Sequence, residues 1–174
     1  MQYKIVLAGD EMVGKTTLIN RFITGSFKKE YKATIGVDIF TKRLLVMDQE
    51  VNLQIWDIAG QTTFRKFRER FFAGSKGALL VYDLTMPKSL NNLHLSWITD
   101  IETITGEIPL VLIGNKVDLD DLIAVTSKDI GSFLGLHPNI ASHYNTSALT
   151  GENVERSFHE LVFSILSMRS QRVE

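Results

Sequence analysis

Cysteine is absent from the chain, so it has no disulfide framework, no thiolate zinc site and no cysteine nucleophile. The same absence excludes prenylation and palmitoylation of the chain as given, and it suits a reducing compartment. Long apolar runs are missing too. GALLVYDL and PLVLIG fall well short of the roughly 20 residues a membrane helix needs. Nor is there an excess charge of one sign: 19 Lys and Arg face 20 Asp and Glu, a net of −1. Bulk electrostatics therefore make no case for nucleic acid or an anionic membrane as partner. His94, His137, His143 and His159 have no HExxH or other ligand spacing, which leaves no histidine metal site to expect. No G-x-S-x-G elbow occurs, so serine hydrolase chemistry has no support.

What is present is enough for one domain. With 174 residues, 44% of them hydrophobic, the chain can bury a substantial core without staples. No repeat, low-complexity tract or linker divides it, so a single domain is expected over 1–174, with a core of about 1–168 and a tail of 169–174. A glycine-rich stretch already begins at Gly9. No removable signal peptide is expected ahead of it, and a cytoplasmic protein is the expectation.

Hydrophobic patterning implies alternating strands and helices. YKIVLA, Tyr3 to Ala8, reads as a buried strand entering the glycine stretch; Leu18, Ile19, Phe22 and Ile23 then fall at helical spacing, with Gly25 as the stop. Two extended segments, about Val37 to Met47 and Val51 to Asp57, are joined by the polar break Asp48 to Glu50, which suits a hairpin and an antiparallel edge. In Thr62 to Phe72 the four phenylalanines form a helical stripe, with Arg65, Lys66, Arg68 and Arg70 expected on the solvated face. Strand 77–83, a helix from Pro87 to about Ile104, strand 110–114, a helix over 127–136, a strand near Tyr144 and a helix from Glu152 complete the order. This predicts an α/β sandwich around a mainly parallel sheet.

Three motifs carry chemistry. Gly9 to Thr16, GDEMVGKT, matches GxxxxGK[ST] in full. Glycines let successive N–H groups face a phosphate, and the helix that starts there adds its positive end. Lys15 would pair with the β and γ phosphates, and the Thr16 hydroxyl would ligate Mg²⁺. Asp57 to Gln61, DIAGQ, follows a strand. Its carboxylate suits Mg²⁺, the Gly60 N–H suits a γ-phosphate oxygen, and Gln61 is a neutral group able to orient a water. Asn115 to Asp118, NKVD, follows the strand PLVLIG. There an aspartate accepts two hydrogen bonds from N1–H and the exocyclic amine of guanine; adenine offers neither, and sites of this kind reject the wrong ligand by roughly 10⁴ or better.

GDEMVGKT, TIGVD, WDIAGQ, GNKVD and TSAL, in this order and at these distances, make the chain resemble the Ras-superfamily small GTPases over essentially its whole length. It looks most like the Rab branch, on TIGVDIF, WDIAGQ and LLVYDLT. The resemblance implies a P-loop G-domain: a six-stranded, mainly parallel sheet with one antiparallel edge strand, five flanking helices and a GDP/GTP switch dependent on Mg²⁺. Carried over by position, Asp10, Glu11, Met12, Val13, Gly14, Lys15, Thr16 and Thr17 would surround the phosphates, with Tyr31 closing over them. Thr34 would sense the γ-phosphate and ligate Mg²⁺ with Thr16 and Asp57. Gln61, Lys15, Thr34 and Gly60 would serve hydrolysis. Phe27, Asn115, Lys116, Asp118, Ser147, Ala148 and Leu149 would form the base pocket.

The resemblance further implies a monomer whose effector, exchange-factor and activating-protein partners meet segments of about 28–40 and 58–73. Peripheral membrane association would come through partners, and no nucleic acid is implied. With no arginine in Lys28 to Thr34, intrinsic hydrolysis should be slow, as in Ras, the type case of this phosphoryl transfer. Four departures stand out. Glu11 and Met12 replace a small residue and glycine, Thr62 and Thr63 replace a charged pair, Leu149 replaces a lysine, and SMRSQRVE carries no lipidation cysteine. Two other readings stay open: a guanine-nucleotide-binding module that scarcely hydrolyses, motivated by Glu11 and Met12, and a P-loop ATPase or nucleotide kinase, opposed by NKVD.

Overall fold

The computed structural model describes residues 1–27 and 33–171. Among these, six strands form one sheet in the order β2-β3-β1-β4-β5-β6. They are β1 (Gln2–Ala8), β2 (Val37–Val46), β3 (Gln49–Ile58), β4 (Gly77–Asp83), β5 (Leu110–Asn115) and β6 (Ile140–Thr146). Only the β2–β3 pair is antiparallel. The hairpin turn is Met47–Asp48, one position earlier than the polar break suggests. Both residues have positive φ, 51° and 57°, the pairing that a two-residue turn of matching twist demands.

Five helical segments flank the sheet among the described residues: α1 (Lys15–Thr24), α2 (Arg68–Phe72), α3 (87–105), α4 (Ser127–Leu136) and α5 (Val154–Gln171). Alternation along the strands divides the core into two layers. Ile5, Leu7, Leu53, Ile55, Leu79 and Val81 pack with α1 and α5, where Phe22 and Phe158 stack with centroids 3.9 Å apart. Val6, Ala8, Leu80, Tyr82 and Leu112 pack with the other helices. The apolar stripe Val154, Phe158, Leu161, Val162, Ile165 and Leu166 of α5 is buried throughout.

Three local features depart from the sequence reading. The stripe over 62–72 is a 3₁₀ turn, Thr62–Phe67, followed by α2, and Arg68 is only 3% exposed rather than solvated. Helix α3 contains a π-helical turn at Leu93–Ile98, which a 3.6-residue periodicity cannot reveal. His94 and His137, far apart in sequence, meet at 3.0 Å between ring nitrogens. Among the described residues, no helix is long and apolar enough to cross a membrane.

Candidate nucleotide site

The chemistry-bearing residues collect at the carboxyl edge of the sheet, where β1 ends between β3 and β4 and the strand order reverses. Open α/β sheets form their ligand crevice there, because connections leave β1 and its neighbours in opposite directions. Asp57 is the penultimate residue of β3, Asp83 closes β4, Asn115 closes β5 and Thr146 closes β6.

The phosphate loop runs from β1 into α1. Gly9 at φ 152° and Gly14 at φ 100° supply conformations closed to most side chains. A Cβ on Gly14 would also lie 2.3 Å from Asn115 Nδ2. Met12 takes φ 65° without being glycine, so the loop keeps its turn at a cost of roughly 1–2 kcal/mol. Val13 is buried and anchors the loop, while Met12 points to solvent. Thr17 is half-buried beside them.

Lys15 is 6% exposed, and its Nζ donates to Gly9 O at 2.7 Å and Asp10 O at 2.8 Å. Burial lowers its pKa to about 8 against the pull of Asp57 and Asp10. A cation held this way at a helix start is the natural counterpart of a phosphate.

Next to it, oxygens converge. Thr16 Oγ1 donates to Asp57 Oδ2 and lies 2.9 Å from Thr34 Oγ1, which itself reaches Asp57 Oδ2 at 3.3 Å. Asp57 is fully buried, and its Oδ1 has no hydrogen-bond partner. Burial raises the Asp57 pKa, opposed by the Thr16 hydroxyl and Lys15. An orphaned buried carboxylate oxygen beside two hydroxyls is a hard-oxygen set that fits Mg²⁺, and a divalent charge would offset the desolvation.

Gly60 presses against the loop backbone: a Cβ there would sit 2.1 Å from Glu11 N. Gln61 Nε2 donates to Glu11 Oε1 at 3.1 Å, a contact the sequence did not announce. Ala59 N donates to Gly36 O at 3.0 Å, joining the segments around Thr34 and Gly60.

At the other end, Ser147 Oγ donates to Asp118 Oδ1 at 2.5 Å. Lys116, at φ 70°, has its Nζ 2.6 Å from Asp83 Oδ2. Ser147 and Ala148 are buried, whereas Phe27 and Leu149 are exposed. Arg21 fastens this loop from α1, donating to Leu149 O at 3.3 Å and Thr150 O at 2.7 Å. Asn115 joins the two halves by donating to Val13 O at 2.9 Å and accepting from Thr146 Oγ1 at 3.1 Å. Tyr31, expected over the phosphates, lies outside the described residues.

Sequence reading missed Arg21, Asp83, Asn92, Trp97 and Arg68 as supports of the site. Of these, Asp83 stood in LLVYDLT and Arg68 in the stripe over 62–72, both already singled out. The others are reached through side-chain packing, which spacing does not encode.

The chain is similar to known proteins. Residues 4–167 match the model of the Ras family. The chain is 39% identical to Ras-related protein RABA1c of Arabidopsis thaliana, over 98% of this chain and 78% of that protein. It is 38% identical to Ras-related protein Rab7 of Drosophila melanogaster, over 97% and 82%. It is 37% identical to GTP-binding protein ypt3 of Schizosaccharomyces pombe, over 97% and 79%.

Proposed function

The chain belongs to the Ras family and is Rab-like within it, and from that premise we propose a GDP/GTP switch with slow intrinsic hydrolysis, serving intracellular vesicle-type traffic. The reading rests on one observation above the rest: the orphaned Asp57 Oδ1, the Thr16 and Thr34 hydroxyls and buried Lys15 all converge where the phosphate loop enters α1. Thr16, Thr34 and Asp57 would hold Mg²⁺, which when bound neutralises charge on the β and γ phosphates. Lys15 and the loop N–H groups bind those phosphates and keep them in place. The Gly60 N–H positions the γ-phosphate, and the Gln61 carboxamide orients the attacking water. Asp118, with Ser147, Ala148 and Asn115, selects guanine; Lys116 is braced by Asp83.

One domain of about 1–168 would carry all of this, acting as a monomer. Effectors, exchange factors and activating proteins would engage 28–40 and 58–73, where Ile35, Ile39 and Phe67 are exposed. A cytoplasmic protein that reaches membranes through such partners fits the reading.

A second reading, nucleotide binding with little hydrolysis, is favoured by the bond from Gln61 to Glu11. Single-turnover hydrolysis of bound GTP by the pure protein with Mg²⁺ separates the two. We expect a rate of roughly 10⁻⁴ to 10⁻³ s⁻¹, the range of Ras itself, falling further in Gln61→Leu and unaffected by ATP. Retention without cleavage in both proteins would establish the second reading, and displacement by ATP would remove both.

Burial of Lys15 also sets a pH dependence. In the free protein its pKa is about 8, and bound phosphate raises it, because the ammonium is what the phosphate stabilises. Affinity is therefore full below that pKa and falls above it, where binding must first take up a proton. Between pH 7.5 and pH 9 the GDP affinity should drop roughly eightfold. Calorimetry at pH 9 in two buffers of different ionisation heat would show the proton uptake; equal heats would contradict it.

A further inference from the structure

Asp10, the second residue of the phosphate loop, lends its carboxylate to α3 rather than to solvent. Its Oδ2 accepts from Asn92 Nδ2 at 2.5 Å and its Oδ1 from Trp97 Nε1 at 3.1 Å. Trp97 is fully buried and lies in the π-helical turn. Such turns insert one extra residue and are used to re-aim side chains at functional places.

One face of the same indole is covered by α2. The Arg68 guanidinium stacks 3.5 Å from the ring centroid, and Phe72 meets the ring edge-on with centroids 6.5 Å apart. Arg68 Nη1 also donates to Ser96 O at 2.9 Å, Ser96 Oγ at 3.0 Å and Asp100 Oδ2 at 2.8 Å. Both partner atoms of Ser96 thus come from the π-helical turn itself. Lys15 Nζ, held by the Asp10 carbonyl, is 6.0 Å from the ring centroid.

Through Arg68, Trp97 and Asp10, one contiguous set of part-buried contacts centred on the buried indole therefore runs from α2 to the backbone that holds Lys15. On the reading of the site as a guanine-nucleotide switch, we propose that Trp97 is a positioning residue through which α2 controls how tightly the phosphate loop retains GDP. The donor–acceptor pair fixes the loop from behind. The cation stack fixes the indole, and anything that moves α2 removes the stack. Planar stacking demands a guanidinium, which a lysine point charge does not replace. An exchange partner that levers α2 away would thereby loosen the loop without touching a phosphate.

The test is release of a fluorescent GDP analogue from the Mg²⁺-loaded protein, chased with unlabelled GDP. Trp97→Phe keeps an aromatic ring and loses the N–H; Arg68→Gln loses the stack together with the ion pair to Asp100. Each should release GDP about fivefold faster, the effect of one lost hydrogen bond or cation–ring contact. The double variant should be no faster than the faster single, because both act along one route. Arg68→Lys should behave as Arg68→Gln. In a Trp56→Phe background, Trp97 emission should shift when GDP is exchanged for a non-hydrolysable GTP analogue, and Arg68→Gln should abolish that shift.

Single variants within twofold of the parent overturn the proposal, as do multiplying effects in the double variant, rescue by Arg68→Lys, or emission blind to the nucleotide. If Trp97→Phe does not fold, the two Arg68 variants decide alone. A parent protein that fails to retain GDP overturns the switch reading and this one together. Retention with unchanged variants overturns only the coupling.

Discussion

Replacing Asp118 with asparagine should lower GDP and GTP affinity by at least about a thousandfold, toward the discrimination that hydrogen-bonded base sites reach. Guanine presents two donors, N1–H and the exocyclic amine. A carboxylate meets them with two acceptors, one of which, Oδ1, is already oriented by Ser147 Oγ. An amide replaces one acceptor by a donor. It then faces the exocyclic amine donor to donor, leaving groups unpaired in a site whose Ser147 neighbour is fully buried. Xanthine carries a carbonyl where guanine carries that amine, so the same amide pairs with it. Competition between xanthosine and guanosine diphosphates on Asp118→Asn should therefore reverse the order found for the parent protein. An unchanged preference for guanine would mean that Asp118 does not read the base.

Glu11→Gly should raise single-turnover GTP hydrolysis at least tenfold. The carboxamide of Gln61 is committed to Glu11 Oε1 at 3.1 Å, so it cannot orient a water until that charge-assisted bond breaks, at a cost equivalent to about tenfold or more in rate. Gly60 already lies against the Glu11 backbone, and removing the side chain leaves that contact intact. The gain should vanish in the double variant Glu11→Gly with Gln61→Leu, because both changes act on one group. A larger gain is expected with an activating protein, whose arginine finger contributes up to about 10⁵ and would have to enter beside the Glu11 side chain. A Glu11→Gly rate within twofold of the parent would show that Gln61 is not restrained.

Legibility differed by type of residue. The loop between β1 and α1 was readable because backbone geometry forces its residue types: glycine where φ is positive at Gly9 and Gly14, followed by a lysine and a hydroxyl at the helix start. The apolar stripe of α5 was readable because burial of one helix face leaves a 3.6-residue period. Arg68 was misread for the same reason. Pattern alone assigns a charged residue among phenylalanines to solvent, whereas the ion pair with Asp100, the Ser96 acceptors and the Trp97 ring make its burial tolerable. Met12 shows the converse case, a non-glycine residue held at positive φ because the loop around it is fixed by Val13 and Asn115.

By itself, then, the sequence determined the strand and helix order, the family and the residue types that could meet a nucleotide, since these follow from local periodicity and from motifs confined to a few consecutive residues. Tertiary structure alone decided that Gln61 rests on Glu11, that Asp83 braces Lys116, and that Asp10 is tied through Trp97 to Arg68. Those contacts span separations of 29 to 87 residues. They depend on sheet register, on one π-helical turn and on which faces of α2 and α3 meet, and no local pattern in the chain encodes such distances.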